Sequence, residues 1–165
     1  MMLKAHIHSL KGFSPKEKEI FMEAVELCLE VFNSRDFRRK MRRSEFLRTK
    51  GKSGRDIWKH ILSGRDLYTV ENDRDVDLST TLYFEDNNVI GFTRRGTFKT
   101  WINKKFFMSK TRGAAGRASN IAHEYMHNLG YSHSHKWNPT RKDTVPYKVG
   151  YIVKDLAKEI LKDRR

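Results

Sequence analysis

Apolar residues first recur at helical spacing after Ser14. This serine can cap a helix, Pro15 suits the first helical position, and Glu17 completes a capping box. The residues that follow place their apolar side chains on one face, which predicts an amphipathic helix. The apolar stripe comprises Ile20, Phe21, Ala24, Val25, Cys28, Val31 and Phe32.

Three later stretches also follow the helical period. Ser53 and Asp56 can begin a short helix, which Gly64 then ends. Residues 111–130 contain many glycines and alanines, which suit a helix that packs closely against its neighbours. The last stretch predicts a terminal helix, whose apolar face comprises Val149, Ile152, Val153, Leu156, Ile160 and Leu161.

The middle of the chain changes to a pattern typical of strands. Residues 77–85 are rich in β-branched and aromatic side chains, and residues 86–88 predict a turn. Residues 89–107 predict one or two further strands, with Gly96 at a turn or bulge. The order helix, helix, strands, helix, helix is typical of an α+β fold. Because no repeat or Pro-rich linker interrupts residues 1–165, we expect a single compact domain.

The formal net charge is +14, and most of the excess lies in one segment. From Arg35 to Arg65 there are 12 Lys and Arg residues against 3 Asp and Glu residues, a net charge of +9. The overlapping residues 33–54 predict a basic loop or a frayed helix, with a short strand at 45–49. Such a field attracts polyanions, namely nucleic acid, anionic lipid or an anionic cell envelope. The alternative is a solvated, solubilising face.

The single cysteine and the absence of long apolar runs restrict the class of protein. Cys28 excludes an internal disulfide framework and a cysteine-rich zinc module, and its place in an apolar stripe predicts a buried side chain. No apolar run approaches the roughly 18 residues that span a bilayer. Residues 1–19 lack the uninterrupted apolar stretch of a signal peptide, so a cytoplasmic location is the default expectation.

Four histidines lie between His123 and His135, and two of them have the spacing of metal ligands. His123 and His127 are four apart on a predicted helix, so both side chains project from one face and can hold one Zn²⁺ ion. Glu124 is turned by about 100° around the helix and therefore flanks the metal. There it can accept a proton from a metal-bound water, which is the chemistry of peptide hydrolysis.

A catalytic zinc takes three protein ligands and keeps one position open. Gly130 is placed to end the helix in the left-handed conformation, after which the chain can turn back and bring His133 to the metal. His135 competes for the same place, but His133 follows the glycine at the shorter spacing. The alternative is a helix end on which the histidines are incidental.

The remaining histidines give weaker signals. His6 and His8 would share one face of a strand and could bind a metal, although this spacing more often belongs to surface or satisfied polar residues. His60 lies in the predicted short helix without an evident partner, so we expect it to be structural.

The stretch "HEYMHNLGYSH" resembles the signature H-E-x-x-H-x-x-G-x-x-H of the metzincin zinc metalloproteases at every specified position. The resemblance implies that His123, His127 and His133 bind zinc and that Glu124 is the general base. It also implies a small mixed sheet packed on the active-site helix, flanked by N- and C-terminal helices. An edge strand of that sheet would bind substrate in extended form.

The chain departs from this family in one place. Metzincins carry a methionine turn beneath the zinc, whereas no methionine follows Met126 here. Residues 143–151, "DTVPYKVGY", fall where that turn would lie, with Pro146 in a tight turn and Val145 or Pro146 as an apolar floor. Tyr147 resembles the tyrosine that in some members moves between the zinc and the oxyanion. The alternative is an ordinary half-buried tyrosine.

These observations predict a zinc metalloendopeptidase that acts on peptide or protein substrates. One alternative is a basic, zinc-containing binding module for nucleic acid or a cell envelope, which would use the Arg35–Arg65 segment. Another is a lytic endopeptidase of the peptidoglycan type, which would combine both properties. Glu124 favours an enzyme, because a purely structural zinc has no use for a carboxylate beside an open position.

Overall fold

In the computed structural model, residues 2–69, 71–94 and 97–165 are described, and they confirm the predicted α+β class with a small mixed sheet. Among these residues, no helix combines the length and apolar character needed to cross a membrane. The strands are β1 (Lys4–Lys11), β2 (Asp75–Tyr83), β3 (Gly91–Thr93) and β4 (Lys99–Asn103). The helices are α1 (Pro15–Asn33), α2 (Arg35–Arg43), α3 (Gly54–Ser63), α4 (Lys104–Phe107), α5 (Gly113–Asn128) and α6 (Val145–Asp163).

The sheet has the order β1-β2-β4-β3, in which β3 alone runs antiparallel to its neighbour. The predicted order of elements is wrong at its start, because β1 precedes the first helix. Its sequence alternates polar His6 and His8 with Ala5 and Ile7, and the latter two pack against the core. This period-2 pattern indicates a strand on its own.

Two predicted helix starts and one helix end are confirmed. Ser14 and Glu17 form a complete capping box at α1, and Ser53 and Asp56 form another at α3. Gly64 ends α3 with φ +71°, in the left-handed conformation that glycine adopts without strain. Local hydrogen bonding therefore defines these boundaries.

The segment at 33–54, predicted as a basic loop or a frayed helix, contains the ordered helix α2 and then a loop that leads to α3. Ser34 caps α2 by accepting a hydrogen bond from the backbone N–H of Phe37 at 3.0 Å. Phe37 and Met41 are fully buried, so this highly charged helix is held by two apolar side chains on one face. The predicted strand at 45–49 is reduced to a single bridge between Leu47 and Thr144.

The buried side chain of Asn103 forms hydrogen bonds with the backbone before β3 and after β4. The amide nitrogen of Asn103 donates to the carbonyl oxygens of Glu85 at 2.9 Å and Val89 at 3.0 Å. Its Oδ1 accepts from the backbone N–H of Lys105 and begins α4, so the strand predicted to extend to residue 107 ends at Asn103. The predicted turn at Gly96 lies outside the described residues.

Helix α5 packs against α1, α6 and β3. A glycine on α6 allows the closest of these contacts. A Cβ atom at Gly150 would lie 3.3 Å from the carbonyl oxygen of Ser119 and 3.7 Å from Cβ of His123. Ser119 also donates its hydroxyl to the Gly150 carbonyl oxygen at 2.8 Å. Helix α6 therefore lies directly against the part of α5 that carries the first histidine.

Candidate metal centre

The end of α5 and the turn after it bring three histidines together. His123 and His127 lie one helical turn apart, with ring centroids 5.0 Å from each other. Gly130 follows the helix with φ +96°, a left-handed conformation that reverses the chain. His133 then returns to both rings, at centroid distances of 5.1 Å from His123 and 4.8 Å from His127.

The three rings point the same nitrogen at one place. Nε2 of His133 lies 3.2 Å from Nε2 of His123 and 3.2 Å from Nε2 of His127. Two nitrogens bound at about 2.0–2.1 Å to a tetrahedral zinc are separated by about 3.3–3.4 Å. The spacing of these nitrogens therefore fits one tetrahedral ion.

Backbone carbonyls hold the rings in the orientation that a metal requires. Nδ1 of His127 donates to the Tyr131 carbonyl oxygen at 2.8 Å, and Nδ1 of His133 donates to the Ser134 carbonyl oxygen at 2.9 Å. His123 is hydrogen-bonded to the backbone of Pro146, whose only hydrogen-bonding group is its carbonyl oxygen. With Nδ1 as the donor, the lone pair of His127 and His133 is on Nε2, as in metal-ligating histidines.

The three imidazoles are neutral at neutral pH. Burial, reinforced by the neighbouring His133, lowers the pKa of His127 to about 4. Burial also holds the pKa of His123 well below its ordinary value, and His127 and His133 lower it further. Burial likewise lowers the pKa of His133. Since a metal ligand must be the unprotonated ring, the centre is in the correct protonation state.

The structure places His135 outside this cluster. Its side chain is exposed, and its ring centroid is 6.2 Å from that of His133. The grouping of metal-binding atoms contains His123, His127 and His133 without it. The shorter spacing after Gly130 thus brings the third histidine to the other two.

Glu124 is buried on the side of α5 that faces β3. Its Oε2 accepts a hydrogen bond of 2.7 Å from the hydroxyl of Thr93, and its Oε1 lies near Gly91. Burial raises the pKa of Glu124 to about 7, although the hydrogen bond from Thr93 opposes the shift. Thr93 is a functional candidate that the sequence analysis missed, because no local pattern connects it with a glutamate 31 residues away.

The segment predicted to replace the methionine turn is the first turn of α6. Pro146 therefore does not lie in a separate tight turn; it occupies the start of a helix, where its missing N–H costs nothing. Val145 and Pro146 are both buried, and the backbone of Pro146 contacts His123, while their role as an apolar floor stays a prediction. Tyr147 is half-buried, with its ring centroid 4.6 Å from that of His123 and 4.7 Å from that of His133.

Arg141 also reaches the centre and was missed from the sequence. Its guanidinium carbon lies 4.8 Å from the centroid of the Tyr147 ring. Burial raises the pKa of Tyr147, whereas the charge of Arg141 and a hydrogen bond from it act in the opposite direction. Among the described residues, the buried Nε of Arg141 has no hydrogen-bond partner. A cation and a phenol therefore lie together beside the histidines.

A basic cleft of about 540 Å³ adjoins the turn that follows α5. His60 lies in it and is not without a partner, because its Nδ1 is 2.8 Å from the Tyr131 hydroxyl and its Nε2 is 2.9 Å from the Arg65 carbonyl oxygen. In the described part of the chain, Asp66 is the one acidic residue that lines the cleft. The cations that line it are Lys50, Lys52, Lys59 and Arg65.

Comparisons with protein-family models, curated proteins and solved structures find no significant match to this chain. What the centre does must therefore be inferred from its residues and their geometry.

Proposed function

We propose that this chain is a zinc-dependent metallopeptidase that hydrolyses peptide bonds in peptide or protein substrates. The observation that carries the proposal is the convergence of Nε2 of His123, His127 and His133, two of these separations being 3.2 Å. Such a set of three neutral imidazoles fits a catalytic zinc site that keeps a fourth position open. A bound zinc ion supplies Lewis acidity there and lowers the pKa of a coordinated water to about 7.

Glu124 is the proposed general base. A base works best when its pKa lies near the working pH, and burial raises the pKa of this carboxyl group to about 7. The Thr93 hydroxyl holds Oε2 and so orients the carboxylate on the side of α5 that faces β3. From that position Glu124 would accept a proton from the attacking water and deliver it to the leaving amine nitrogen.

Tyr147 and Arg141 are proposed to stabilise the oxyanion of the tetrahedral intermediate. The Tyr147 ring lies within 4.7 Å of two ligand rings, and the Arg141 guanidinium lies 4.8 Å from the tyrosine centroid. A phenol hydroxyl and a cation are suitable donors for developing negative charge. Their approach from α6 and its preceding turn leaves the β3 side to Glu124.

We further propose that the fold is zincin-like, with β3 as the strand that binds substrate. This strand lies at the edge of the sheet, runs antiparallel to β4 and touches α5 through Thr93 and Glu124. An edge strand offers its backbone N–H and C=O groups to an extended peptide. A peptide paired with β3 would lie beside both the base and the histidines.

Substitution of Glu124 tests the function directly. Glu124→Gln should retain about one zinc at the three histidines and reduce kcat by about 100-fold or more, because the general base is lost. Zinc is measured by elemental analysis, and hydrolysis is measured on a peptide library. Glu159→Gln, an exposed glutamate on α6, is the matched control and should retain full activity. Undiminished hydrolysis by Glu124→Gln would refute the assigned base.

A second candidate function is a lytic peptidase that acts on an anionic cell envelope, or a binding module for nucleic acid or such an envelope. The observation that favours it is the cleft lined by Lys50, Lys52, Lys59 and Arg65, which adjoins the turn that leads from α5 to His133. An anionic polymer bound there would place its peptide cross-links near the histidines. A pure binding module would bind polyanions with the same affinity. It would show no hydrolysis that depends on Glu124.

A further inference from the structure

A second group of metal-binding side chains lies on the first two strands of the sheet. His6 and His8 extend from β1, and Asp77 extends from β2. One ligand atom from each of the three lies within 4.8 Å of the other two. Nε2 of His8 is 2.6 Å from Oδ1 of Asp77, and Nδ1 of His6 is 3.6 Å from the same oxygen.

The strand register explains why both histidines meet one carboxyl group. His6 lies directly opposite Asp77 in the parallel pairing of β1 with β2. The register then shifts between Ile7 and Ser9, so His8 is the extra residue of a β-bulge. A bulge redirects a side chain, and here it leaves the His6 and His8 rings 4.2 Å apart over the same aspartate.

A second buried carboxyl group, that of Asp66, lies on the connection between α3 and β2, where its Oδ1 accepts from the backbone N–H groups of Tyr68 and Thr69. Asp66 is 4% exposed and Asp77 is 3% exposed. Burial raises the pKa of Asp77, and the neighbouring Asp66 raises it further. Oδ2 of each has no hydrogen-bond partner among the described residues. Two carboxyl groups buried side by side must share a proton or a cation, because two adjacent negative charges with unpaired oxygens are strongly disfavoured.

The two imidazoles favour a metal over a proton. One imidazolium carries +1 and leaves one negative charge of the carboxyl pair uncompensated, whereas a divalent ion compensates both. Two imidazolium rings at 4.2 Å would repel each other. Two imidazole rings and two carboxyl groups together provide the nitrogen and oxygen donors that zinc prefers. With Asp66 as the fourth ligand, the coordination sphere would be closed, as in structural zinc sites.

We propose that His6, His8, Asp66 and Asp77 form a second zinc site with a structural role. The ion would tie the edge strand β1 to β2 and to the connection after α3. Edge strands are prone to fraying and to unwanted pairing, so a metal at this place would stabilise the exposed side of the sheet. The site does not depend on the proposed peptidase activity.

Zinc stoichiometry tests the site without reference to activity. The wild-type chain, stripped with chelator and titrated with Zn²⁺ alone, should bind two ions. The double substitution His123→Ala with His127→Ala should retain one ion, and so should His6→Gln with His8→Gln. The matched control is His135→Gln, which removes an exposed histidine outside both groups and should still bind two. Far-UV circular dichroism checks that each variant is folded.

Hydrogen exchange gives a second measurement on the same proteins. In the chain that lacks His123 and His127, added Zn²⁺ should slow amide exchange in Lys4–Lys11 at least several-fold, and this protection should vanish when His6 and His8 are also replaced. One ion in the wild type that is lost in the His6/His8 variant would support this site and refute the centre at His123. Binding of a single ion that is lost only with His123 and His127, or unchanged exchange in β1, would overturn the proposal.

Discussion

At the scale of single residues, the centre depends on which nitrogen of each histidine is free. Carbonyl oxygens of Tyr131 and Ser134 take the Nδ1–H of His127 and His133, so Nε2 carries the lone pair. Both are backbone carbonyls, which every residue type carries, so a sequence motif does not reveal them. They come from the turn after α5, whose path the glycine at 130 determines.

Tyr147 can be tested by removing a single oxygen atom. Tyr147→Phe should reduce kcat by about 100-fold and leave the zinc content unchanged, because it removes an oxyanion donor but no ligand. Tyr151→Phe is the matched control, since Tyr151 lies one turn further along α6 and is exposed. Steady-state kinetics on one peptide substrate measure both variants. Equal activity of Tyr147→Phe and wild type would show that Tyr147 only packs beside the histidines.

The ionisation of Glu124 should appear in the stability of the metal-free protein. Its folded pKa is about 7 against an ordinary value of 4.5, so its negative charge opposes folding at high pH. Glu124→Gln should therefore be more stable than wild type by up to about 3 kcal/mol at about pH 8. This difference should decrease as the pH falls through 7 and disappear near 4.5, where the buried carboxyl is protonated.

Urea unfolding in the presence of chelator measures this difference in free energy of unfolding. The pKa values of the buried histidines are lowered in the folded state, so through these groups acid destabilises the folded protein. They are present in both proteins, so their contribution cancels in the comparison. A stability difference that does not change with pH would contradict the raised pKa of Glu124.

At the scale of elements, the centre is built where α5 ends and α6 begins. The absence of a side chain at Gly150 lets α6 pack closely against α5. The first turn of α6 therefore brings the Pro146 carbonyl and the Tyr147 ring to His123. Pro146 begins this helix, so helix packing holds Val145 and Pro146, the residues predicted to form an apolar floor in place of a methionine turn.

The turn after α5 should be sensitive to any side chain. Gly130→Ala should lower zinc affinity by about 10- to 100-fold, because a strained turn displaces the Tyr131 carbonyl that orients His127. A Cβ there would also lie 3.1 Å from Leu67. Isothermal titration with Zn²⁺ measures the affinity.

Gly113→Ala is the matched control for this turn. Gly113 also has a positive φ, +62°, but its surroundings are open and it lies at the other end of α5. Both substitutions should cost about 1–2 kcal/mol of stability through backbone strain. Only Gly130→Ala should affect zinc. An equal loss of affinity in both variants would attribute the effect to general destabilisation.

At the scale of the whole molecule, the charge of +14 has a structural focus. The basic segment supplies all four cations of the cleft beside the centre. The same segment contains α2, whose Phe37 and Met41 fix it to the core, so its charges are presented by an ordered surface. A bound polyanion, as proposed, and a solubilising face are the two interpretations of this charge.

Charge removal at two places can separate these interpretations. Replacing Lys50, Lys52 and Lys59 by Gln should weaken binding to short polyphosphate. The slope of log K against the logarithm of the salt concentration should become less steep by about three. Replacing Lys154, Lys158 and Lys162 on α6 by Gln changes the net charge equally and is the control. Fluorescence anisotropy over a salt series measures both. An equal effect of the two triple substitutions would indicate attraction by net charge alone.

The sequence by itself determined the features that depend on neighbouring residues. The caps of α1 and α3, the helical face shared by His123 and His127, and the turn at Gly130 follow from local hydrogen bonding and backbone preference. Residues close in the chain have few relative positions open to them. A short pattern is therefore enough to place them.

Only the tertiary structure decided the contacts between distant parts of the chain. Thr93 meets Glu124 across 31 residues, and His8 meets Asp77 across 69. Arg141 and Tyr147 reach the histidines because α6 packs on α5 at Gly150. Such contacts depend on how elements pack and on strand register, which hydrophobic periodicity does not specify. The sequence therefore indicated the candidate metal ligands. It did not indicate the distant residues that contact those ligands and Glu124.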